Sequence, residues 1–62
     1  MTKTIRNGSK AVVINGNQFD GPFWACLYVN CTADQLGDIT SLRATRLTLK
    51  GITKWADREL AR

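Results

Sequence analysis

The stretch FWACLYVN, residues 23–30, decides how the rest of the chain can be arranged. Its residues are apolar up to Asn30, and aromatic side chains are frequent among them. The segment NGNQFDGP, residues 15–22, precedes it and is rich in turn-forming residues. An apolar run of this length, bounded by turn residues, is typical of a strand that is buried on both faces of a sheet. The sequence therefore predicts that residues 23–30 form the central strand.

Both cysteines of the chain belong to this stretch or follow it directly. Cys26 and Cys31 are five residues apart, so a regular strand points them to opposite faces, with their Cα atoms roughly 16 Å apart. A disulfide needs Cα atoms about 4.4–6.8 Å apart. We therefore predict two free thiols that pack as small apolar side chains. Cys31, expected at the entrance to a helix, is the thiol worth testing for reactivity.

Ahead of this strand the sequence predicts a β-hairpin. Asn7-Gly8 separates two strand-like segments, and this dipeptide is preferred in a two-residue type I′ turn. Such a turn places Ile5 opposite Lys10. After the central strand, Thr32 and the glutamine three residues later have the spacing of a helix capping box. A short helix is therefore predicted from Thr32 to about residue 39 or 42.

The C-terminal third allows two interpretations. The segment TRLTLKG, residues 45–51, alternates between polar and apolar residues and predicts a strand that ends at Gly51, followed by a helix over residues 52–62. Alternatively, one helix runs from about residue 42 to the end, with apolar residues on one side and basic residues on the other. The single helix is disfavoured by Gly51, by the threonines and by Leu47, which would point away from the apolar side. We therefore favour a strand followed by a helix.

Together these elements predict an α+β fold: a small single domain over residues 1–62, with an antiparallel three- to four-stranded sheet packed against one or two helices. A chain of 62 residues buries only roughly 60% of its unfolded surface. Packing or oligomerisation must supply its stability, so we consider a homodimer as well as a monomer. The predicted core consists of Ile5, Val12, Ile14, Phe23, Ala25, Leu27, Val29, Leu36, Ile39, Leu47, Leu49, Ile52, Trp55 and Leu60.

Few residues in the chain are suited to catalysis. There is no histidine, which removes the most frequent general base and metal ligand. Two cysteines are too few for a structural zinc site in one chain. Asp34 and Asp38 have helical spacing, but we interpret them as a solvated surface. The glycines of residues 15–22 lack the lysine pattern of a phosphate-binding loop. We expect no enzymatic activity, no metal and no cofactor.

Charge is unevenly distributed along the chain, whose formal net charge is +4. Residues 11–42 contain no basic residue, so the positive charge lies near the two ends. Clustered basic side chains are typical of proteins that contact phosphates. Trp24 and Trp55 are the aromatic residues able to stack on bases, although we favour a core position for both. The predicted binding residues are Arg43, Arg46, Lys50, Lys54, Arg58, Arg62, Lys3, Arg6 and Lys10.

Two functional hypotheses follow. The first is a small non-enzymatic regulatory protein that binds nucleic acid through a basic C-terminal face. The alternative is a stoichiometric protein-binding inhibitor or accessory regulator of the kind encoded by phages and plasmids, which blocks the surface of a partner such as a nucleic-acid-binding protein complex. The N-terminal segment lacks the apolar run of a signal peptide, and no stretch approaches the ~20 apolar residues of a membrane span. We therefore expect a cytoplasmic protein with no membrane partner.

Two segments resemble parts of DNA-binding proteins. KTIRNGSKAVVI, residues 3–14, is similar to the first hairpin of swapped-hairpin antitoxins, but the proline and helix that follow there are absent here. TADQLGDITSLRATRL, residues 32–47, has some helix-turn-helix character. In it, Ser41 stands at the turn, where glycine is usual. Neither resemblance identifies a family.

Overall fold

A computed structural model describes residues 1–17 and 19–62; Gln18, within the predicted loop, lies outside the described residues. The strands form one antiparallel sheet in the order β1-β2-β3-β4, so neighbours along the chain are neighbours in the sheet. This architecture confirms the predicted α+β class and the inner position of FWACLYVN. The elements are β1 (Thr2–Asn7), β2 (Lys10–Gly16), β3 (Phe23–Val29), β4 (Asp38–Arg46) and α1 (Leu49–Leu60).

The helix α1 covers one face of the sheet only. Val12 and Ile14 of β2 are fully buried beneath it, and Ile52 of α1 is also 0% exposed. Ala25 and Ala44 are register partners on β3 and β4 and belong to the same buried cluster. Small side chains at these positions leave room for the larger ones of the helix to pack against the sheet.

Burial of β3 on both faces was predicted and is wrong. Phe23 and Ala25 are buried, whereas Trp24 between them is 48% exposed. Successive side chains of a strand point to opposite faces, and only one face has a helix above it. The core position predicted for Trp24 is therefore also wrong, while that of Trp55, 7% exposed, is confirmed.

The hairpin forms with a turn one residue later than predicted. Ile5 pairs with Val12, and not with Lys10. The central turn positions are Gly8 and Ser9, and Gly8 has φ 62°. Glycine at the first central position is the requirement of a type II′ turn, which suits the twist of a hairpin as well as type I′ does.

The helix predicted to begin at Thr32 is wrong. Residues 30–37 connect β3 to β4, since Val29 already pairs with Asp38. The backbone N–H of Thr32 donates to the carbonyl of Gln35, 3.0 Å away, which closes a turn and not a helix. A Cβ on Gly37 would lie 2.1 Å from the Val29 carbonyl oxygen, so this tight return requires glycine.

The favoured order of strand then helix is confirmed for the C-terminal third, but its boundaries are wrong. The strand is β4, which ends at Arg46, and Thr48 caps the helix that follows. Gly51 lies in the first turn of α1, where its N–H donates to Thr48 Oγ1 at 3.0 Å. A single helix from residue 42 and a helix-turn-helix over residues 32–47 are both excluded by β4.

Three members of the predicted core lie at the surface. Leu36, Ile39 and Leu47 are 40%, 53% and 83% exposed. All three belong to segments whose structure was predicted wrongly, namely the 30–37 connection, β4 and the β4–α1 connection. Buried residues that were not predicted are Ala11, Cys31, Ala44, Ala56 and Glu59.

The core assignment predicts a contrast between two aliphatic residues. Ile52→Ala should lower the free energy of unfolding by about 2–5 kcal/mol because it leaves a cavity in the core beneath α1. Leu47→Ala should change it by less than about 0.5 kcal/mol. Urea unfolding followed by circular dichroism measures both. If the alanine variant fails to fold, Ile52→Val should still cost about 0.5–1.5 kcal/mol, and equal losses at positions 47 and 52 would contradict the core described here.

Candidate functional site

The solvent face of α1 carries a row of cations. Lys50, Lys54 and Arg58 are all exposed, and their spacing of four residues separates them by about 6 Å along the helix axis. None of the three takes part in the ion pair found among the described residues, which joins Arg62 and a glutamate. The exposed Asp57 lies on the same face and offsets part of the charge.

Arg46 extends this row beyond the start of the helix. A Cβ on Gly51 would lie 3.5 Å from the Cβ of Arg46, so the stem of Arg46 lies beside the first turn of α1. Its guanidinium donates to the carbonyl of Thr45 at 2.8 Å. Arg46, Lys50, Lys54 and Arg58 together are called the basic helix row below.

Three other predicted binding residues are already engaged in holding the fold together. Arg6 donates to the carbonyl oxygen of Thr32 at 2.8 Å and so fastens the 30–37 connection to β1. Lys10 donates to the carbonyl oxygen of Arg62 at 2.8 Å, and the Arg62 side chain pairs with Glu59 at 3.3 Å. These contacts join the hairpin to the end of α1.

The structure does not bring the nine predicted binding residues onto one surface. Four of them form the basic helix row. Lys3 is exposed on β1, at the edge of the sheet farthest from β4. Arg43 lies on the face of the sheet that α1 does not cover, opposite Cys26 in register.

That face is not covered by α1, and we call it the open sheet face. It is closed at one end, where Ala11 is 0% exposed and Arg6 donates to the Thr32 carbonyl oxygen of the 30–37 connection. Its residues form three rows that cross the four strands from β1 to β4. None of these positions is acidic. The rows are Arg6, Ala11, Tyr28 and Ile39; Thr4, Val13, Cys26 and Arg43; and Thr2, Asn15, Trp24 and Thr45.

Arginine side chains protect the outer edge of β4. Arg43 donates to the carbonyl oxygens of Thr40 and Leu42, and Arg46 donates to that of Thr45. An edge strand with unpaired carbonyls is a template for pairing with another chain. Because these carbonyls already accept hydrogen bonds from charged donors, addition of a fifth strand at this edge is disfavoured.

Apart from the open sheet face, an exposed apolar region lies where the chain enters β3 and leaves β4. Phe19 and Leu47 are 84% and 83% exposed. With Pro22 and Phe23 they line a groove of about 720 Å³. No feature of the sequence indicated this groove, since Leu47 was assigned to the core.

The described residues contain no group of three or more His, Cys, Asp or Glu side chains arranged to hold a metal ion. Within the same residues, no helix has both the length and the apolar character needed to cross a membrane.

The two thiols are free, as predicted, but their environments are not those expected. Cys31 is 8% exposed, and its sulfur accepts a hydrogen bond from the N–H of Gly37 at 3.4 Å. It does not stand at a helix entrance, since the connection after β3 is not helical. Cys26 is partly exposed on the open sheet face between Trp24 and Tyr28.

This arrangement predicts which thiol reacts first. Under native conditions Cys26 should be alkylated by iodoacetamide before Cys31, because reagent reaches the open sheet face without any local opening of the chain. Mass spectrometry of peptides after timed quenching measures the two rates. The variants Cys26→Ser and Cys31→Ser isolate each thiol, and faster modification of Cys31 would contradict the assignment.

Sequence reasoning missed the aromatic part of the open sheet face. Trp24 and Tyr28 lie in an apolar run. Such a run does not show whether its strand is covered on one face of the sheet or on both. The available signal was the number of covering elements, which depends on whether residues 32–42 form a helix. The basic helix row was found because positions 50, 54 and 58 have helical spacing.

Comparisons of the chain with family models, curated proteins and solved structures find no match. No function is therefore transferred to this chain from a relative. Its possible roles follow from the basic helix row, the open sheet face and the exposed groove.

Proposed function

We propose that this protein is a small non-enzymatic regulator that binds nucleic acid in the cytoplasm through the basic helix row. The observation that carries the proposal is the exposure of Lys50, Lys54 and Arg58 in one line, where the cations outnumber Asp57 on the same face and take no part in the ion pair of Arg62. Such a line provides cations at regular intervals to a ligand that carries regularly spaced phosphates.

The fold holds this row rigidly. Thr48 caps the helix through the N–H of Gly51, and Trp55 and Leu60 anchor the opposite face of α1 in the core. From Lys50 to Arg58 the row extends about 12 Å along the axis. Its four cations support contact with about three to four phosphates, which gives binding with little sequence preference.

A protein-binding role of the phage- or plasmid-encoded inhibitor type is the second candidate. The groove beside Phe19 and Leu47 favours it, because two large apolar side chains are more than four-fifths exposed there. Exposed apolar side chains beside a groove are frequent in protein contacts. Recovery of one partner protein after nuclease treatment, lost in a Leu47→Lys variant, would favour this role over the first.

Binding through the basic helix row predicts a strong dependence on salt. The logarithm of the association constant for duplex DNA should fall with the logarithm of salt concentration with a slope of about −3, as expected for three to four phosphate contacts. Lys54→Glu should reduce the magnitude of this slope by about 1 and lower the affinity roughly tenfold at low salt. Fluorescence anisotropy with a labelled duplex measures both quantities.

Lys3→Glu provides the matched control, since it changes the net charge equally at the far edge of the sheet. Its effect on affinity should be clearly smaller than that of Lys54→Glu. Equal losses from the two variants would mean that binding depends on net charge alone. Binding that is insensitive to salt, or absent at micromolar protein, would also contradict the proposal.

A further inference from the structure

We infer that the open sheet face binds single-stranded nucleic acid by stacking bases on Trp24 and Tyr28. The choice of nucleic acid as the ligand rests on the function proposed above, whereas the surface and the single-stranded form are new. The basic helix row contacts phosphates in any nucleic acid. The open sheet face adds contacts that require accessible bases.

The aromatic side chains lie where a stacking platform needs them. Trp24 is 48% exposed although it lies on an inner strand of the sheet. Tyr28 is partly exposed on the same face, about 13 Å farther along β3. Cys26 and its register partner Val13 lie between them and form a low apolar floor. Every base has a flat apolar face, so such a platform accepts any sequence.

The charges of this face fit a polyanion. Arg43 lies on the outer strand β4, beside the aromatic residues of β3, whereas Arg6 at the β1 edge already donates to the 30–37 connection. None of the twelve positions in the three rows is acidic. The diagonal distance between Arg43 and Trp24 is about 7–8 Å between Cα atoms, which allows the arginine to contact the backbone of a nucleotide stacked on the tryptophan.

A second copy of the chain fits this face poorly. Two open sheet faces in contact would bring Arg6 and Arg43 of both copies together with no carboxylate on either side. Unpaired buried charges are strongly unfavourable in an interface. Lateral pairing through β4 is disfavoured too, because its outer carbonyls accept hydrogen bonds from Arg43 and Arg46.

A duplex fits poorly for a different reason. Its bases are stacked on one another and paired, so their flat faces are not available to Trp24 or Tyr28. Stacking on side chains is characteristic of single strands and loops, whose bases can be splayed out. The open sheet face therefore provides a preference for single strands that the basic helix row alone does not.

The test compares two replacements of Trp24 in the full-length chain. Labelled oligo(dT) and oligo(U) of about 12 nucleotides, within the usual site sizes of small single-strand-binding domains, are titrated together with a duplex of equal length. Trp24→Leu keeps apolar bulk but removes the stacking plane, and should weaken single-strand binding about 5- to 150-fold, as expected for one stacked base. Trp24→Phe should recover most of the loss. Duplex binding should be unchanged in both variants.

Controls separate stacking from unfolding. Phe19→Leu removes an exposed aromatic residue outside the face and should leave all affinities unchanged. Thermal unfolding shows whether each variant is folded. If Trp24→Leu does not fold, Tyr28→Leu at the other end of the platform replaces it, with the same expected loss.

The outcomes distinguish this inference from the proposed function. Single-strand affinity that is unchanged in Trp24→Leu, or reduced equally in Trp24→Leu and Trp24→Phe, would overturn the stacking platform. If Lys54→Glu still weakens duplex binding in that case, the proposed function stands alone. If Trp24→Leu weakens single-strand binding but Lys54→Glu weakens no binding, the result would support stacking on the open sheet face and overturn binding through the basic helix row. Absence of binding to every oligonucleotide would overturn both proposals. Capture of a protein partner that Trp24→Leu abolishes, without any effect of that variant on single-strand binding, would overturn the stacking platform alone.

Discussion

The packing of Ile52, Trp55 and Leu60 against Val12 and Ile14 is the interaction on which the rest of the structure depends. It joins α1, the one helix in the part of the chain that the structure describes, to the sheet. A chain of 62 residues has enough apolar surface for one such layer, and little remains for a second. One face of the four-stranded sheet is therefore left without a helix above it.

The parts of the fold that were predictable have strong local signals. The hairpin, the apolar run of β3 and a C-terminal helix follow from turn residues and periodicity. β4 was not predictable in this way, because its pairing with β3 shifts register between Cys26 and Tyr28. This irregularity breaks the alternation that marks a strand. The capping-box spacing at Thr32 then favoured a helix, although strand pairing required the chain to turn back.

The candidate surfaces were predictable to different degrees for a related reason. Lys50, Lys54 and Arg58 share a face in any helix that contains them, so their row is a local property of the sequence. Trp24, in contrast, is exposed because α1 covers the other face of the sheet. That depends on the whole topology, whereas the apolar run that contains Trp24 predicts burial on both faces from local sequence alone. Trp55 escaped this error because α1 buries it directly.

The two surfaces lie on opposite sides of the molecule and meet only at β4. Arg43 and Arg46 are three residues apart and therefore point to opposite faces of that strand. The whole chain measures 32 × 21 × 18 Å. Duplex DNA has a persistence length of about 50 nm, so it cannot bend around an edge of this size. A single strand is flexible enough to pass from Arg46 over β4 to Arg43 and the aromatic residues. If both surfaces bind nucleic acid as proposed, a single strand could engage both at once and a duplex could not, which would add to the preference that stacking provides.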